Sequence, residues 1–192
     1  KRQRGRGTLV LSTEASPAFV QMVRSPSELF SYPDSSIFRL LSDERINADK
    51  PLARELGCQV GDEWVQIAGL RTLGEEGVPI CLADVYVIPE YGSIAQRLGT
   101  SSRPVYEMIA ETFKESIENI TIRLTAGVLS VRKAAVLGVE PGAPSLSVTR
   151  FYEGRGGRIF EVSISEHPAS NFSYTFEFTR GWQTADHWSW SN

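Results

Sequence analysis

The chain has 192 residues, 41% hydrophobic, 22% charged and 10% aromatic. This is the composition of one globular domain, or one with an appendage, and it excludes a disordered tail, a collagen-like chain and a disulfide scaffold. The formal charge is −3, but Lys1, Arg2, Arg4 and Arg6 place four of the twenty basic residues in the first six positions, and setting them aside leaves −7 for residues 7–192. An acidic body of this kind binds nucleic acid poorly over its main surface. The Gly-rich leader Lys1 to Gly7 is either a solvated basic terminus or a contact for phosphates. No apolar run approaches the roughly 18–20 residues of a membrane span. Cys58 and Cys81, with His167 and His187, are too few and too scattered for a zinc ribbon. A reduced, cytoplasmic protein with no metal or other cofactor is expected. The first residue is Lys1 and no secretory signal follows it, so the chain reads as a piece of something longer, with the missing part upstream.

In chain order, Ser25-Pro-Ser-Glu28 has the form of a capping box opening a short helix, and Ser36 to Arg45 reads as a strand. Then comes the first copy of a repeat, Ala53-Arg-Glu-Leu-Gly-Cys-Gln-Val-Gly61, matched 81 positions later by Ala134-Ala-Val-Leu-Gly-Val-Glu-Pro-Gly142. In both copies Leu-Gly closes a short helix, with Gly57 and Gly138 suited to the left-handed position beyond it, and Gly61 and Gly142 turn the chain into a strand. Strands are predicted over Glu63 to Arg71 and Val78 to Val87, joined at Gly74–Gly77, and again over Ser145 to Tyr152 and Arg158 to Glu166, joined at Gly154–Gly157. Between the copies, Tyr91 to Leu98 and Pro104 to Phe113 read as helices. Ile117 to Gly127 reads as a strand with Ile120, Ile122, Leu124 and Ala126 on one face. Phe172 to Phe178 is a last strand. Hairpin connections throughout favour an α+β domain, an antiparallel sheet with helices on one side.

The chain lacks HExxH, a phosphate-binding GxxxxGKS/T loop, a GxSxG elbow and a strand-to-helix GxGxxG. Ser163 and His167, with no acid partner in evidence, make no catalytic pair, and both cysteines read as packed thiols. Strand parity is more informative. Arg71 ends a row otherwise made of Val65, Ile67 and Gly69, so its guanidinium serves an anion, snorkels from the strand end, or pairs with Asp84. In the strand ending at Glu166, parity puts Phe160, Val162 and Ile164 on one face and Ile159, Glu161, Ser163, Ser165 and His167 on the other. That polar row is a solvated sheet face or the lining of a polar cavity, with solvation slightly favoured.

From about Ser25 to Phe178 these residues resemble the UTRA effector-binding domain of GntR-type transcription factors, in the HutC/FarR branch. The resemblance rests on an ordered set: the two Ala-x-x-Leu-Gly-x-x-x-Gly copies, Ile67-Ala-Gly-Leu-Arg71, Gly77-Val-Pro-Ile80, Tyr86-Val-Ile-Pro89, Val105-Tyr106, Phe160-Glu-Val-Ser163, His167 and Phe172-x-Tyr174. It implies a chorismate-lyase-like fold with a small-molecule pocket between two similar halves, residues 18–180 being the UTRA domain. Residues 1–17 would be a linker and the last wing strand of a winged helix-turn-helix lying upstream. Arg2, Arg4 and Arg6 would then touch the DNA backbone, and the operator would be read only through the missing domain. It further implies a homodimer whose geometry changes when a small anionic effector binds.

The family's site carries over in part. Its sugar-phosphate binders hold phosphate with Arg-x-Arg, where this chain has Gly69 and Arg71, and with Ser-x-Tyr, where it has Pro104 and Tyr106. Arg71 would be the anion anchor, Glu161 and His167 would read polar groups at the far end, and Tyr106 and Ser163 would stand at the wall. Asp84 or Tyr86 would line the side, and Ser25 and Ser27 would belong to the backbone cradle. His167 stands where a tyrosine is frequent and would titrate near neutral pH. With two phosphate anchors absent, a carboxylate is favoured over a sugar phosphate. A chorismate-lyase-like enzyme and a dimerisation-only domain are the alternatives. Residues 181–192, with Trp182, Trp188 and Trp190, form a tail without a family counterpart, expected to pack on the domain or on a partner.

Overall fold

The structure, a computed structural model, describes residues 19–23, 32, 36–73, 77, 79–98, 100–101 and 103–177. The basic leader, the Ser25–Glu28 helix start, most of the Gly74–Gly77 connection and the Trp-rich tail lie outside the described residues.

Elements follow in the order β1 (Phe19–Val23), β2 (Ser36–Asn47), α1 (Lys50–Leu56), β3 (Glu63–Leu73), β4 (Pro79–Val87), a 3₁₀ segment (Pro89–Ile94) running into α2 (Ala95–Leu98), and β5 (Thr100–Ser101). There follow α3 (Val105–Phe113), β6 (Asn119–Val128), α4 (Val131–Leu137), β7 (Pro144–Glu153), a 3₁₀ turn (Arg155–Gly157), β8 (Ile159–Pro168) and β9 (Phe172–Phe176). Seven strands form one antiparallel sheet in the order β5-β2-β3-β4-β8-β7-β6. The last strand departs from the expected pattern, since β9 pairs in parallel with β1 as a separate two-stranded ribbon.

The repeat governs this architecture. Asp49 Oδ1 accepts from Leu52 N at 2.9 Å to cap α1, and Ser130 Oγ accepts from Lys133 N at 3.4 Å to cap α4. Gly57 (φ 71°) and Gly138 (φ 68°) close these helices in the left-handed conformation that glycine adopts without steric cost. The backbone bonds recur 81 residues apart: Cys58 N to Ala53 O and Val139 N to Ala134 O are both 3.0 Å, and Gly61 N to Ala48 O and Gly142 N to Leu129 O are 2.7 and 2.9 Å. The copies meet where β4 pairs β8, with Asp84 opposite Ile164 at the middle of the register, so a pseudo-two-fold exchanges β3 with β7.

Helices cover both faces of the sheet rather than one. Each repeat helix is a single two-turn unit burying little more than Ala53 and Leu56, or Ala134 and Leu137. One packs against Trp64, Tyr86, Phe151 and Val162 and the other against Leu70 and Leu82. The opposite face carries the larger core, in which the 3₁₀ segment, α2 and α3 pack Ile94, Leu98, Val105 and Ile109 against Ile67, Val85 and Val87. Pro104, extended at ψ 148°, is the N-cap of α3 rather than part of its first turn. A bulge separates the Tyr152–Glu161 and Glu153–Ile159 pairs of β7 and β8. Phe160, the extra residue, therefore packs with Tyr91 and Tyr152 in the larger core, whereas simple alternation places it with Val162.

Candidate functional site

Under α3, on the sheet face of the larger core, a cavity of about 40 Å³ is lined by side chains of both halves. Arg71 of β3 enters from one side and Arg150 of β7 from the other, 5% and 4% exposed. Between them β8 presents Glu161, Ser163 and Ser165, and the roof is Pro104, Val105 and Tyr106. The polar row of β8 is buried, Glu161 to 2% exposure and His167 to 0%, which overturns the solvated reading: α3 and its neighbours cover the face that parity left open.

Arg71 Nη1 donates to the buried Ser36 Oγ at 2.9 Å, and its Cζ lies 4.4 Å from the centroid of the Tyr32 ring. Arg150 Nη2 donates to Tyr174 Oη of β9 at 3.0 Å, and its Cζ stands 5.8 Å from that same ring. Guanidinium groups stay charged in proteins, so two cations converge on one enclosed space. Glu161 Oε2 is buried with no hydrogen-bond partner among the described residues. Burial pushes this carboxyl well above the usual carboxylate range, partly opposed by Arg150, so it holds its proton to higher pH than an exposed carboxyl, and when protonated it is a donor as well as an acceptor.

Tyr106 stacks on Tyr152 with ring centroids 4.5 Å apart, and its hydroxyl donates to Glu107 at 3.1 Å, which fixes it as a wall. His167 stands behind the cavity, its ring 3.8 Å from that of Phe172. Its Nδ1 is 3.2 Å from the Leu146 carbonyl and therefore carries the proton, leaving Nε2 to accept from the Tyr32 hydroxyl at 3.2 Å. The Tyr32 oxygen in turn lies 3.5 Å from Cys81 Sγ. Burial, reinforced by Arg150, lowers the His167 pKa to about 3. The expected titration near neutral pH is thereby corrected: this imidazole is a neutral, structural link.

Asp84 and Tyr86 are also corrected. Both point to the opposite sheet face, where they border a separate groove with Glu55, Lys133 and Glu166, and Gln66 Nε2 donates to Asp84 at 3.0 Å. Asp84 therefore stands across the sheet from Arg71, which rules out a structural pair between them. Ser25 and Ser27, like Arg2, Arg4 and Arg6, lie outside the described residues. Of the sequence-derived candidates, the structure brings together Arg71, Tyr106, Glu161 and Ser163. It adds Arg150, Ser165 and Tyr32. Arg150 carries the same signal as Arg71, a guanidinium in the alternating apolar row Leu146, Val148, Tyr152, and Ser165 lies in the polar row already noted. No pattern distinguishes Tyr32. Among the described residues no His, Cys, Asp or Glu cluster suits a metal ion, and no helix is long and apolar enough to cross a membrane.

The UTRA domain profile matches residues 34–173. The chain belongs to the UTRA family. Its fold is shared with PhnF from Mycobacterium smegmatis (19% identity, TM-score 0.68, covering 86% of this chain and 73% of that one). It is shared also with the ligand-binding domain of a GntR-family transcriptional regulator from Bordetella bronchiseptica (24%, 0.63, 76% and 90%). It is shared likewise with YydK from Bacillus subtilis (16%, 0.66, 93% and 75%). The UTRA chain described here thus has the α+β fold of regulatory ligand-binding domains.

Proposed function

We propose that this chain is the effector-sensing and dimerising part of a cytoplasmic GntR/HutC-type transcriptional regulator. It binds a small anionic metabolite between Arg71 and Arg150. Binding changes how an upstream winged helix-turn-helix holds its operator, with Arg2, Arg4 and Arg6 as backbone contacts of the wing. Residues 18–180 are the sensing unit and 181–192 an appended tail. The observation that carries this reading is the convergence of two buried guanidiniums, one from each half of the repeat, on one cavity with the buried carboxyl of Glu161. Two guanidiniums facing one enclosed space are charge-assisted donors suited to hold an anion.

A carboxylate is favoured, because Gly69 and Pro104 stand where sugar-phosphate binders of the family carry donors. Glu161 in its neutral form donates to that ligand or takes up its polar end. A phosphorylated ligand is the second reading, favoured by Arg150, which adds a second guanidinium for a dianion. A regulator is preferred to a lyase because the leader from Arg2 to Val10 has the form of a wing strand, which a free-standing lyase does not need.

A thermal-shift screen against matched panels of small carboxylates and sugar phosphates, with Arg71→Ala alongside, tests the proposal. A ligand at 100 times its Kd stabilises by about 2.7 kcal/mol, a rise of roughly 5–10 °C for a small domain. A carboxylate shift that vanishes in Arg71→Ala supports the reading. Shifts from phosphates alone move the effector class, and silence from both panels leaves a dimerisation-only domain.

A further inference from the structure

The Tyr32 ring stands against both guanidiniums and lines the space they face. It lies 4.4 Å from Arg71 Cζ and 5.8 Å from Arg150 Cζ, and its hydroxyl reaches past them to His167 Nε2 and Cys81 Sγ. With the ring in place the cavity measures about 40 Å³, against the roughly 300–1,000 Å³ of small-molecule sites. The site thus has the charges of an anion pocket without the room. The face of an aromatic ring carries partial negative charge and attracts cations, but far less strongly than a carboxylate or phosphate that hydrogen-bonds them. An anion entering this space would accept hydrogen bonds from the guanidiniums, which the face of the ring does not.

We propose that Tyr32 is a built-in occupant of the effector site, whose side chain must leave the space between Arg71 and Arg150 before an anion enters, and which thereby sets effector affinity. This rests on the anion-pocket reading above. The hydrogen bonds give the occupant its strength. The Tyr32 O–H donates to the neutral His167, whose tautomer is fixed by the Leu146 carbonyl, and the Cys81 thiol is placed to donate to the Tyr32 oxygen. These contacts are specific to a phenol, so tyrosine at this position does more than fill volume. Because an effector sees only molecules whose site is vacated, the apparent Kd rises by the factor by which the occupied form outnumbers the vacant one.

The test is isothermal titration of wild type, Tyr32→Ala, Tyr32→Phe and Arg71→Met with succinate and with inorganic phosphate, folding of each variant being checked by its melting transition. Tyr32→Ala is expected to bind at least one probe about ten-fold or more tightly than wild type. Tyr32→Phe, which keeps the ring and loses the hydroxyl bonds, is expected to fall between. If Tyr32→Ala does not fold, Tyr32→Phe decides, tighter binding supporting the proposal and unchanged or weaker binding overturning it. Binding that is lost in Arg71→Met but equal or weaker in Tyr32→Ala makes Tyr32 a wall of the site and overturns this proposal, leaving the anion pocket intact. Absence of binding in wild type and in both Tyr32 variants overturns the anion pocket and this proposal together.

Discussion

Arg150 occupies in β7 the register position that Gly69 occupies in β3: Gly69 pairs with Ala83 of β4, Arg150 with Ser163 of β8, and the pseudo-two-fold exchanges the two pairs. In the first half the place of a side chain at Gly69 is taken by the Phe38 ring, whose Cζ would lie 2.0 Å from an added Cβ. The two halves thus contribute their cations from non-equivalent positions, Arg71 and Arg150, and the pocket is asymmetric although the sheet is nearly symmetric.

Gly69→Ala therefore forces the buried Phe38 ring to move, at a cost of about 1–3 kcal/mol for an overpacked core. A lower denaturation midpoint at unchanged slope checks this, and a midpoint equal to wild type would mean that the ring relocates freely.

The repeat helices give a paired prediction. Asp49→Ala and Ser130→Ala each remove an N-cap, costing about 0.5–2 kcal/mol. The loss is expected to be greater at Asp49, whose bond to Leu52 N is 2.9 Å, than at Ser130, whose bond to Lys133 N is 3.4 Å. Urea unfolding of the two variants provides the comparison.

Acid stability depends on His167. Its folded pKa of about 3 lies below the ordinary 6.5, so between these values the unfolded chain binds the extra proton and stability falls as pH falls. A single group of this kind contributes a slope of up to about 1.4 kcal/mol per pH unit. Unfolding of His167→Gln between pH 7 and 3 is expected to show a slope shallower than wild type by about one proton.

Glu161 acts in the opposite sense. Its folded pKa is raised above 4.5, so above that pH the unfolded chain releases a proton that the folded chain retains, and stability falls as pH rises. Glu161→Gln is expected to melt higher than wild type at pH 8, with the difference closing toward pH 4. A constant difference across this range would place an ionised carboxylate in the cavity.

Much of this is legible in the sequence alone. The 81-residue repeat shows in Leu-Gly-x-x-x-Gly because left-handed glycines and helix ends are local, and the alternation of Val65, Ile67, Gly69 and Arg71 singles out a buried cation because period two follows from the strand itself. The same alternation around Arg150 supports the same inference. Phe160 escaped because a bulge breaks the period that parity assumes. His167 escaped because its protonation depends on Arg150 and burial, both contributed from distant sequence. Asp84 and Tyr86 stand in the right strand but on its other face. Tyr32 was not legible at all: its role arises from 49- and 135-residue separations to Cys81 and His167, which no local pattern records.

The central claim, that an anion binds between Arg71 and Arg150, is tested most directly by a crystal structure of the chain with the carboxylate that stabilises it best. The account predicts the carboxylate within hydrogen-bonding distance of both guanidiniums, with Glu161 at the ligand's polar end. A ligand bound instead in the groove beside Asp84, Tyr86 and Lys133 on the opposite face of the sheet would contradict it.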